Sequence, residues 1–303
     1  MDHSVPPWSQ LIEALHETPE LSHAVSVIIP AFNEAPHIAS QLRTVRDVMQ
    51  QTGWEFEIIV VDDGSSDETG ENAAAEGVRV LRHRRNYGYG AALKRGIAEA
   101  KYDWILITDA DGTYPSAAIP DLLGVASGND MVVGARLGET VQIPLARRPA
   151  KWLLTHLASY LAGQTLPDLN SGFRLMRKAL PQAYLKLLPA GFSFTTTITL
   201  AAVCNDHPVE YVPIDYYRRL GKSKIRPSHA YEFMLLILRT VVFFNPLKVF
   251  IPLGALLALS GLAKFAYDVT RRDLSESAVL AILGALIVWS VGLLADQNAR
   301  MIK

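Results

Sequence analysis

The chain is short of several features that often guide a reading. It has a single cysteine among 303 residues, Cys204. An intrachain disulfide is therefore excluded. No Cys or His cluster surrounds that residue, so a zinc site is not expected and a buried, inert thiol is. Net charge is nearly absent, with 29 Lys and Arg against 30 Asp and Glu. A global field that gathers nucleic acid is thereby excluded, and no nucleic-acid partner is expected. The first residues, Met1-Asp-His-Ser-Val-Pro-Pro-Trp8, lack a basic stretch followed by an apolar run. No signal peptide is expected, and the N-terminal portion is expected to stay in the cytosol. There is no internal repeat and no low-complexity tract.

What the chain does have is hydrophobicity, unevenly spread. Residues 1 to about 230 carry a mixed, globular pattern. Residues 247–267 then form an apolar run whose only charges are Lys248 and Lys264, near its ends, and residues 277–295 carry no charge. Each run is close to the ~20 residues that cross a bilayer core. Core helices of soluble proteins rarely run so long without a polar face. Two spans joined by the polar stretch 268–276 predict a transmembrane helical hairpin with both chain ends on one side. The expected organisation is a loosely attached helical extension at 1–22, a catalytic domain at 23–228, a juxtamembrane interfacial helix at 229–245 and the hairpin at 246–303.

From residue 24 to about 134, strand and helix signals alternate. Apolar β-rich runs stand at 25–30, 57–61, 78–81 and 104–108, with helix patterns at 37–51, 67–76 and 90–100 between them. On the first helix Ile38, Leu42, Val45 and Val48 or Met49 share a face, and Asp67 is placed to cap the second. Strands without alternation, separated by helices, predict an α/β fold with a mostly parallel sheet covered on both sides. Ligands of such sheets sit at the carboxyl ends of the strands. The polar residues cluster there: Asn33 and Glu34, Asp62 and Asp63, Asp109 and Asp111.

Asp109-Ala-Asp111 follows a buried strand directly. Two carboxylates so spaced can share a hard divalent ion, which is usually completed by substrate phosphates. Asp-Gly at 111–112 is also ordinary turn chemistry, but the acidic pairs at the other strand ends favour the ion. In Asp62-Asp-Gly-Ser-Ser-Asp67, one carboxylate suits ribose hydroxyls or a base edge. Pro30-Ala-Phe-Asn-Glu34 offers a backbone wall and a carboxylate for a nucleoside. Two phosphate-loop patterns fail. Gly88-Tyr-Gly90 has Leu93 where a dinucleotide fingerprint needs Gly or Ala, and Gly221-Lys-Ser223 has Tyr216 where a P-loop needs Gly.

Taken together, Val27-Ile-Ile-Pro-Ala-Phe-Asn-Glu34, Val60-Val-Asp-Asp-Gly-Ser-Ser-Asp67, Gly90-Ala-Ala-Leu-Lys-Arg-Gly96 and Thr108-Asp-Ala-Asp-Gly-Thr-Tyr-Pro115 resemble glycosyltransferase family 2 in order and spacing. Val133-Gly-Ala-Arg136, Asn170-Ser-Gly-Phe-Arg174 and Arg218-Arg-Leu-Gly-Lys-Ser-Lys-Ile225 extend the match toward the dolichyl- and polyprenyl-phosphate sugar synthases, over residues 24–226. The resemblance implies a GT-A (Rossmann-like) fold. It implies that Pro30, Phe32, Glu34, Lys94, Ala110 and either Asp62 or Asp63 line the nucleotide site. By the same token Asp109 and Asp111 would hold Mg²⁺ or Mn²⁺ and the donor diphosphate. Some relatives carry a glutamine ligand two residues past the second aspartate, where this chain has Thr113. Arg136, with Arg147 or Arg148, would face the phosphates, and Ser171 and Arg174 would border the acceptor. Relatives often form oligomers through the membrane region, which makes a homo-oligomer an expectation here.

Five basic residues in nine positions, Arg218, Arg219, Lys222, Lys224 and Arg226, precede the first span by about twenty residues. Anionic headgroups attract such residues at ~1 kcal/mol each, and Arg218, Lys222 and Lys224 are candidates to grip an acceptor phosphate. Residues 147–162 and 229–244 suit helices lying along the interface. The expected reaction moves a sugar from a nucleotide diphosphate, UDP in preference to GDP, to a polyprenyl phosphate with inversion. The expected location is the cytosolic membrane face. That topology rests on the cytosolic donor, since Arg271 and Arg272 in the connecting stretch weaken the positive-inside pattern. Three alternatives compete with this reading. A processive polysaccharide synthase should carry Gln-x-x-Arg-Trp and more spans, and neither is found. A non-catalytic membrane subunit is disfavoured by intact Asp109 and Asp111. A soluble transferase is disfavoured by the two apolar runs.

Overall fold

The computed structural model describes residues 23–137, 163–191, 193–217, 245–271 and 275–301, with isolated positions at 156, 158–160, 235, 238 and 242–243. The expected extension at 1–22 lies outside the described residues. Apart from the isolated positions and Asn245, so do the expected interfacial helices at 147–162 and 229–245.

Strand β1 (Ala24–Ala31) is buried along its whole length. An apolar run buried on both faces belongs in the middle of a covered sheet, and there it lies. It pairs in parallel with β2 (Glu55–Asp62) on one side and β4 (Trp104–Ile107) on the other. β3 (Arg79–Arg82) extends the sheet beyond β2. Past β4 come β6 (Arg174–Arg177), β5 (Met131–Arg136) and β7 (Val209–Ile214), giving the order β3-β2-β1-β4-β6-β5-β7. β6 is antiparallel to both of its neighbours and the other pairings are parallel. The mostly parallel sheet expected from the sequence is present, with one reversed strand that the local pattern did not announce.

Successive side chains of a strand point to opposite faces, and the core divides accordingly. On one side Val25, Val27 and Ile29 pack with Ile38, Leu42, Val45 and Met49 of α1 (Ile38–Thr52). Burying each such side chain stabilises by roughly 1.5–3 kcal/mol. Two short helices, α2 (Thr69–Ala75) and, later in the chain, α4 (Ile119–Gly124), complete that layer. On the other side Ile28, Ile59 and Ile107 meet α3 (Tyr89–Glu99), α5 (Ala179–Ala183) and α6 (Phe194–Cys204). Cys204 is buried at the end of α6, as expected.

Two long antiparallel helices follow, α7 (Leu247–Arg271) and α8 (Glu276–Met301). Both are long and apolar enough to cross a membrane. At 1.5 Å per residue each exceeds the ~30 Å hydrocarbon core. Leu256, Leu259, Leu280, Ile287 and Leu294 point outward, each with more than half of its surface exposed. Small residues bring the pair together: Gly254 lies against Trp289, and Gly292 against Phe250. The expected polar connection at 268–276 is partly helical, because α7 continues to Arg271. Asp268 stabilises that end by accepting from Lys264 Nζ at 2.5 Å and from the Ser275 amide at 3.1 Å. Val249 of α7 packs with Leu166, Leu169, Leu200 and Val203, which seats the hairpin against the sheet domain.

Candidate active site

The strand order reverses direction between β1 and β4, and the carboxyl ends of the strands at such a reversal are the usual ligand position in these sheets. The segments after β1, β2, β4 and β5 reach this edge. The start of β6 reaches it too, because that strand runs the opposite way.

Behind β1, Pro30 is buried in the sheet while Phe32 and Glu34 are half-buried at the edge. Asn33 takes a left-handed backbone (φ 56) that Asn tolerates. Its side-chain oxygen accepts from the Ser66 amide at 2.9 Å, and its own amide donates to Ser65 Oγ at 3.0 Å. The Glu34 amide donates to Thr69 Oγ1 at 2.8 Å. Asp67 stands one residue before the N-cap position of α2 and accepts from the amides of Thr69 and Ala35, so it joins the two loops as well as starting the helix.

Asp62 and Asp63 are both engaged by the protein. Asp62 is fully buried and accepts from the Ser65 amide at 2.9 Å and Arg82 Nε at 3.0 Å. Asp63, at 3% exposure, pairs with His83 Nδ1 at 2.6 Å and accepts from the amides of Tyr87 at 2.9 Å and Gly88 at 2.8 Å. These carboxylates tie the end of β2 to the chain between Arg82 and Gly88. Gly88 takes a positive φ of 104, and a side chain there would strike the Ala190 carbonyl oxygen at 2.6 Å. Close packing of the α3 start thus accounts for the glycines of the failed fingerprint. Lys94 stands one turn further along α3, half-buried, its ammonium pulled below its ordinary value by burial.

Asp109 and Asp111 follow β4 and are both partly accessible, with Ala110 buried between them. Asp111 accepts from the Thr113 amide at 3.1 Å and its hydroxyl at 2.7 Å. Asp109 accepts from the Tyr89 hydroxyl at 3.2 Å. Thr113 is buried and turned onto Asp111. Among the described residues no group of three or more His, Cys, Asp or Glu gathers as a metal site. Two hard carboxylate ligands, both partly accessible, fit Mg²⁺ or Mn²⁺, which commonly take one or two carboxylates and leave the other positions to phosphate and water.

Around this pair lies a layer that the linear sequence did not reveal. The Tyr114 hydroxyl accepts from the Gly172 amide at 2.7 Å, and its ring stacks on Phe173. Tyr216 meets Tyr114 edge-on and carries the Arg136 guanidinium over its face. Burial, reinforced by the negative charge of Asp109, pushes the phenols of Tyr89 and Tyr114 above their ordinary range. Asp168 binds Arg136 at two points, Nε at 2.7 Å and Nη2 at 2.9 Å, and accepts from the amides of Arg136 and Asn170. Burial alone would raise the Asp168 carboxyl, but the hydrogen bonds and charge of Arg136 outweigh it and hold the group below the usual aspartate value. Asp168 stands only two residues before the Asn170 motif. Its partner is 32 positions away, so no local pattern could mark it.

Two of the expected site residues have partners within the protein. The family motif points Arg136 at phosphates, but its guanidinium is paired with Asp168, with 20% of the side chain accessible. The motif also puts Arg174 at the acceptor side, yet it is fully buried behind the site. It donates to the Ser171 carbonyl, to the Thr195 carbonyl at 3.2 Å and to Thr199 Oγ1 at 3.0 Å. Burial pushes its guanidinium below its ordinary value. Ser171 is buried too. Its neighbour Gly172 lies beside Asp109, where an added Cβ would stand 3.2 Å from Oδ1. Arg147, Arg148, Arg218, Lys222 and Lys224 lie outside the described residues.

The sheet domain and the hairpin both have counterparts in known proteins. Residues 26–184 match the model for Glycosyl transferase family 2, and residues 245–301 match the GtrB C-terminal hairpin. The chain is 30% identical over 230 residues to the dolichol-phosphate mannosyltransferase of Pyrococcus furiosus, covering 71% of this chain and 63% of that protein. It therefore spans less than two thirds of that relative's length. It is 29% identical over 306 residues to the undecaprenyl-phosphate 4-deoxy-4-formamido-L-arabinose transferase of Pseudomonas fluorescens, covering 92% and 85% of the two chains. The solved glucosyl-3-phosphoglycerate synthase of Mycobacterium tuberculosis, in complex with Mn²⁺, uridine-diphosphate and phosphoglyceric acid, superposes with a TM-score of 0.57 at 21% identity, over 72% of this chain and 78% of that one. At that identity the likeness speaks for the fold.

Proposed function

The chain belongs to glycosyl transferase family 2, and from that premise we propose that it moves a sugar from a nucleoside diphosphate to a polyprenyl phosphate at the cytosolic membrane face. The observation that carries the reading is the conjunction of the Asp109–Asp111 pair, set at the carboxyl end of β4, with an apolar hairpin in the same chain. A phosphate-handling crevice and a membrane seat suit a water-soluble donor and an acceptor that cannot leave the bilayer.

In the proposed reaction an oxygen of the lipid phosphate attacks the anomeric carbon. The bond from that carbon to the donor's β-phosphate oxygen breaks, and its electron pair leaves with the nucleoside diphosphate. Attack opposite the leaving group inverts the anomeric carbon. The acceptor is already anionic at neutral pH, so no strong base is assigned. Mg²⁺ or Mn²⁺ held by Asp109 and Asp111 would supply Lewis-acid stabilisation of charge on the diphosphate. Phe32 and Glu34 wall the nucleoside, with Pro30, Asp62 and Asp63 holding that wall in shape. Lys94 and Arg136 lend positive charge to the crevice, and Arg174 braces the Ser171–Gly172 turn from behind. The basic residues Arg147, Arg148, Arg218, Lys222 and Lys224 are assigned to phosphate and headgroup contact, and UDP is the favoured donor nucleotide.

The test is purified protein in liposomes containing polyprenyl phosphate, offered radiolabelled UDP- and GDP-sugars with Mg²⁺ or Mn²⁺. Label is expected in the organic extract from one donor, and is expected to vanish with chelator and in Asp111→Asn. No lipid label from any donor, with nucleotide binding intact, refutes the acceptor assignment.

A further inference from the structure

We propose that Tyr89 is a positioning residue that sets the orientation of the Asp109 carboxylate for cation binding; this rests on the reading above that Asp109 and Asp111 hold the cation together with the donor. Tyr89 is the first residue of α3, and its hydroxyl donates to Asp109 Oδ1 at 3.2 Å. The start of that helix has little freedom to withdraw. The Ala91 amide donates to the Ala190 carbonyl at 3.0 Å, and the flanking Gly88 and Gly90 are pressed against the same 189–191 segment.

Gly172 closes the arrangement from the opposite side. A methyl group on it would stand 2.9 Å from the Tyr89 hydroxyl oxygen, 3.2 Å from Asp109 Oδ1 and 3.3 Å from the Tyr114 hydroxyl oxygen. The peptide of Gly172 is itself held, its amide donating to Tyr114 at 2.7 Å. Three pieces of chain distant in sequence therefore converge on one carboxylate oxygen: the start of α3, the end of β4 and the turn before β6. An aspartate carboxylate rotates over a broad torsional well when nothing directs it. A phenol donating to one of its oxygens limits that rotation before any cation arrives. Outer partners of this kind commonly change metal affinity by about 10–100-fold when removed.

The experiment uses the full-length protein in detergent. Mn²⁺ is titrated in the presence of UDP, and in parallel GDP, and free Mn²⁺ is read by electron paramagnetic resonance. Tyr89→Phe is expected to weaken Mn²⁺ binding about 10-fold or more, with an unchanged thermal midpoint. In the liposome assay its activity is expected to need correspondingly more Mn²⁺, while kcat at saturating Mn²⁺ and KM for the acceptor stay near the parent values. A purely structural role would move the thermal midpoint and leave the Mn²⁺ titration alone, and that result overturns the proposal. Gly172→Ala provides a second route, since it crowds the hydroxyl and the carboxylate without removing either. It too is expected to weaken Mn²⁺ binding, and it decides the matter if Tyr89→Phe does not fold. A parent protein that binds no Mn²⁺ with either nucleotide removes both the metal reading and the proposal. Normal binding by the parent with an unchanged titration in the variants removes the proposal alone.

Discussion

Replacing Asp168 by Asn should cost more stability than any change at the accessible carboxylates. Asp168 is 3% exposed and receives four hydrogen bonds: Arg136 Nε at 2.7 Å, Arg136 Nη2 at 2.9 Å, the Arg136 amide at 3.0 Å and the Asn170 amide at 3.1 Å. Breaking a buried ion pair by removing one partner typically costs about 3–5 kcal/mol. Water reaches part of Arg136, 20% of whose side chain is accessible, and asparagine keeps one acceptor oxygen. Both reduce the figure, to about 2–4 kcal/mol. For a chain of this size that corresponds to a fall in Tm of roughly 5–10 °C at pH 7. The assay is thermal unfolding of the detergent-solubilised protein followed by tryptophan fluorescence. A pH series supplies an internal check. The folded-state pKa of Asp168 lies below the ordinary aspartate value, so its contribution is complete above about pH 4 and is lost as pH falls through the folded value. The gap between parent and variant should therefore narrow in strong acid. A variant within about 1 kcal/mol of the parent at pH 7, or a gap that persists unchanged in acid, would refute the assignment of this pair as the brace of the site.

Three further outcomes are expected. Tyr114→Phe leaves the Gly172 amide without its partner, and a buried donor stranded in that way costs about 1–3 kcal/mol; urea unfolding that matches the parent contradicts the bond. Asp111→Asn should lose Mn²⁺-dependent UDP binding by calorimetry while its thermal midpoint stays near the parent's, because that carboxylate is partly accessible; unaltered metal-dependent binding counts against the cation site. Gly254→Leu forces a side chain into the ring of Trp289 on the facing helix and should splay the hairpin; a tryptophan emission spectrum in lipid identical to the parent's would show that the two helices do not meet there.

Much of the fold was legible because it is local. The unbroken apolar runs of β1, β2 and β4, the one-sided pattern of α1 and the two charge-poor stretches near the C-terminus each follow from side-chain periodicity, which a sequence records directly. The placing of Glu34, Asp63, Asp109 and Asp111 at one edge was equally readable, because each follows a strand of a parallel sheet and such ends share a side. Their membership of a GT-A-like sheet and of family 2 follows from the same motifs. Tertiary structure alone decided which polar groups are accessible at that edge and which are tied up inside it. Arg174 looks like any cationic motif residue in sequence, but its register opposite Ile107 turns it to the sheet face covered by α6. Arg136 and Asp168 are 32 positions apart, and Tyr89, Tyr114 and Gly172 lie on three separate pieces of chain. Hydrogen bonds and ion pairs act over a few ångströms whatever the separation along the chain, so partners of this kind become visible only once the strands are in register.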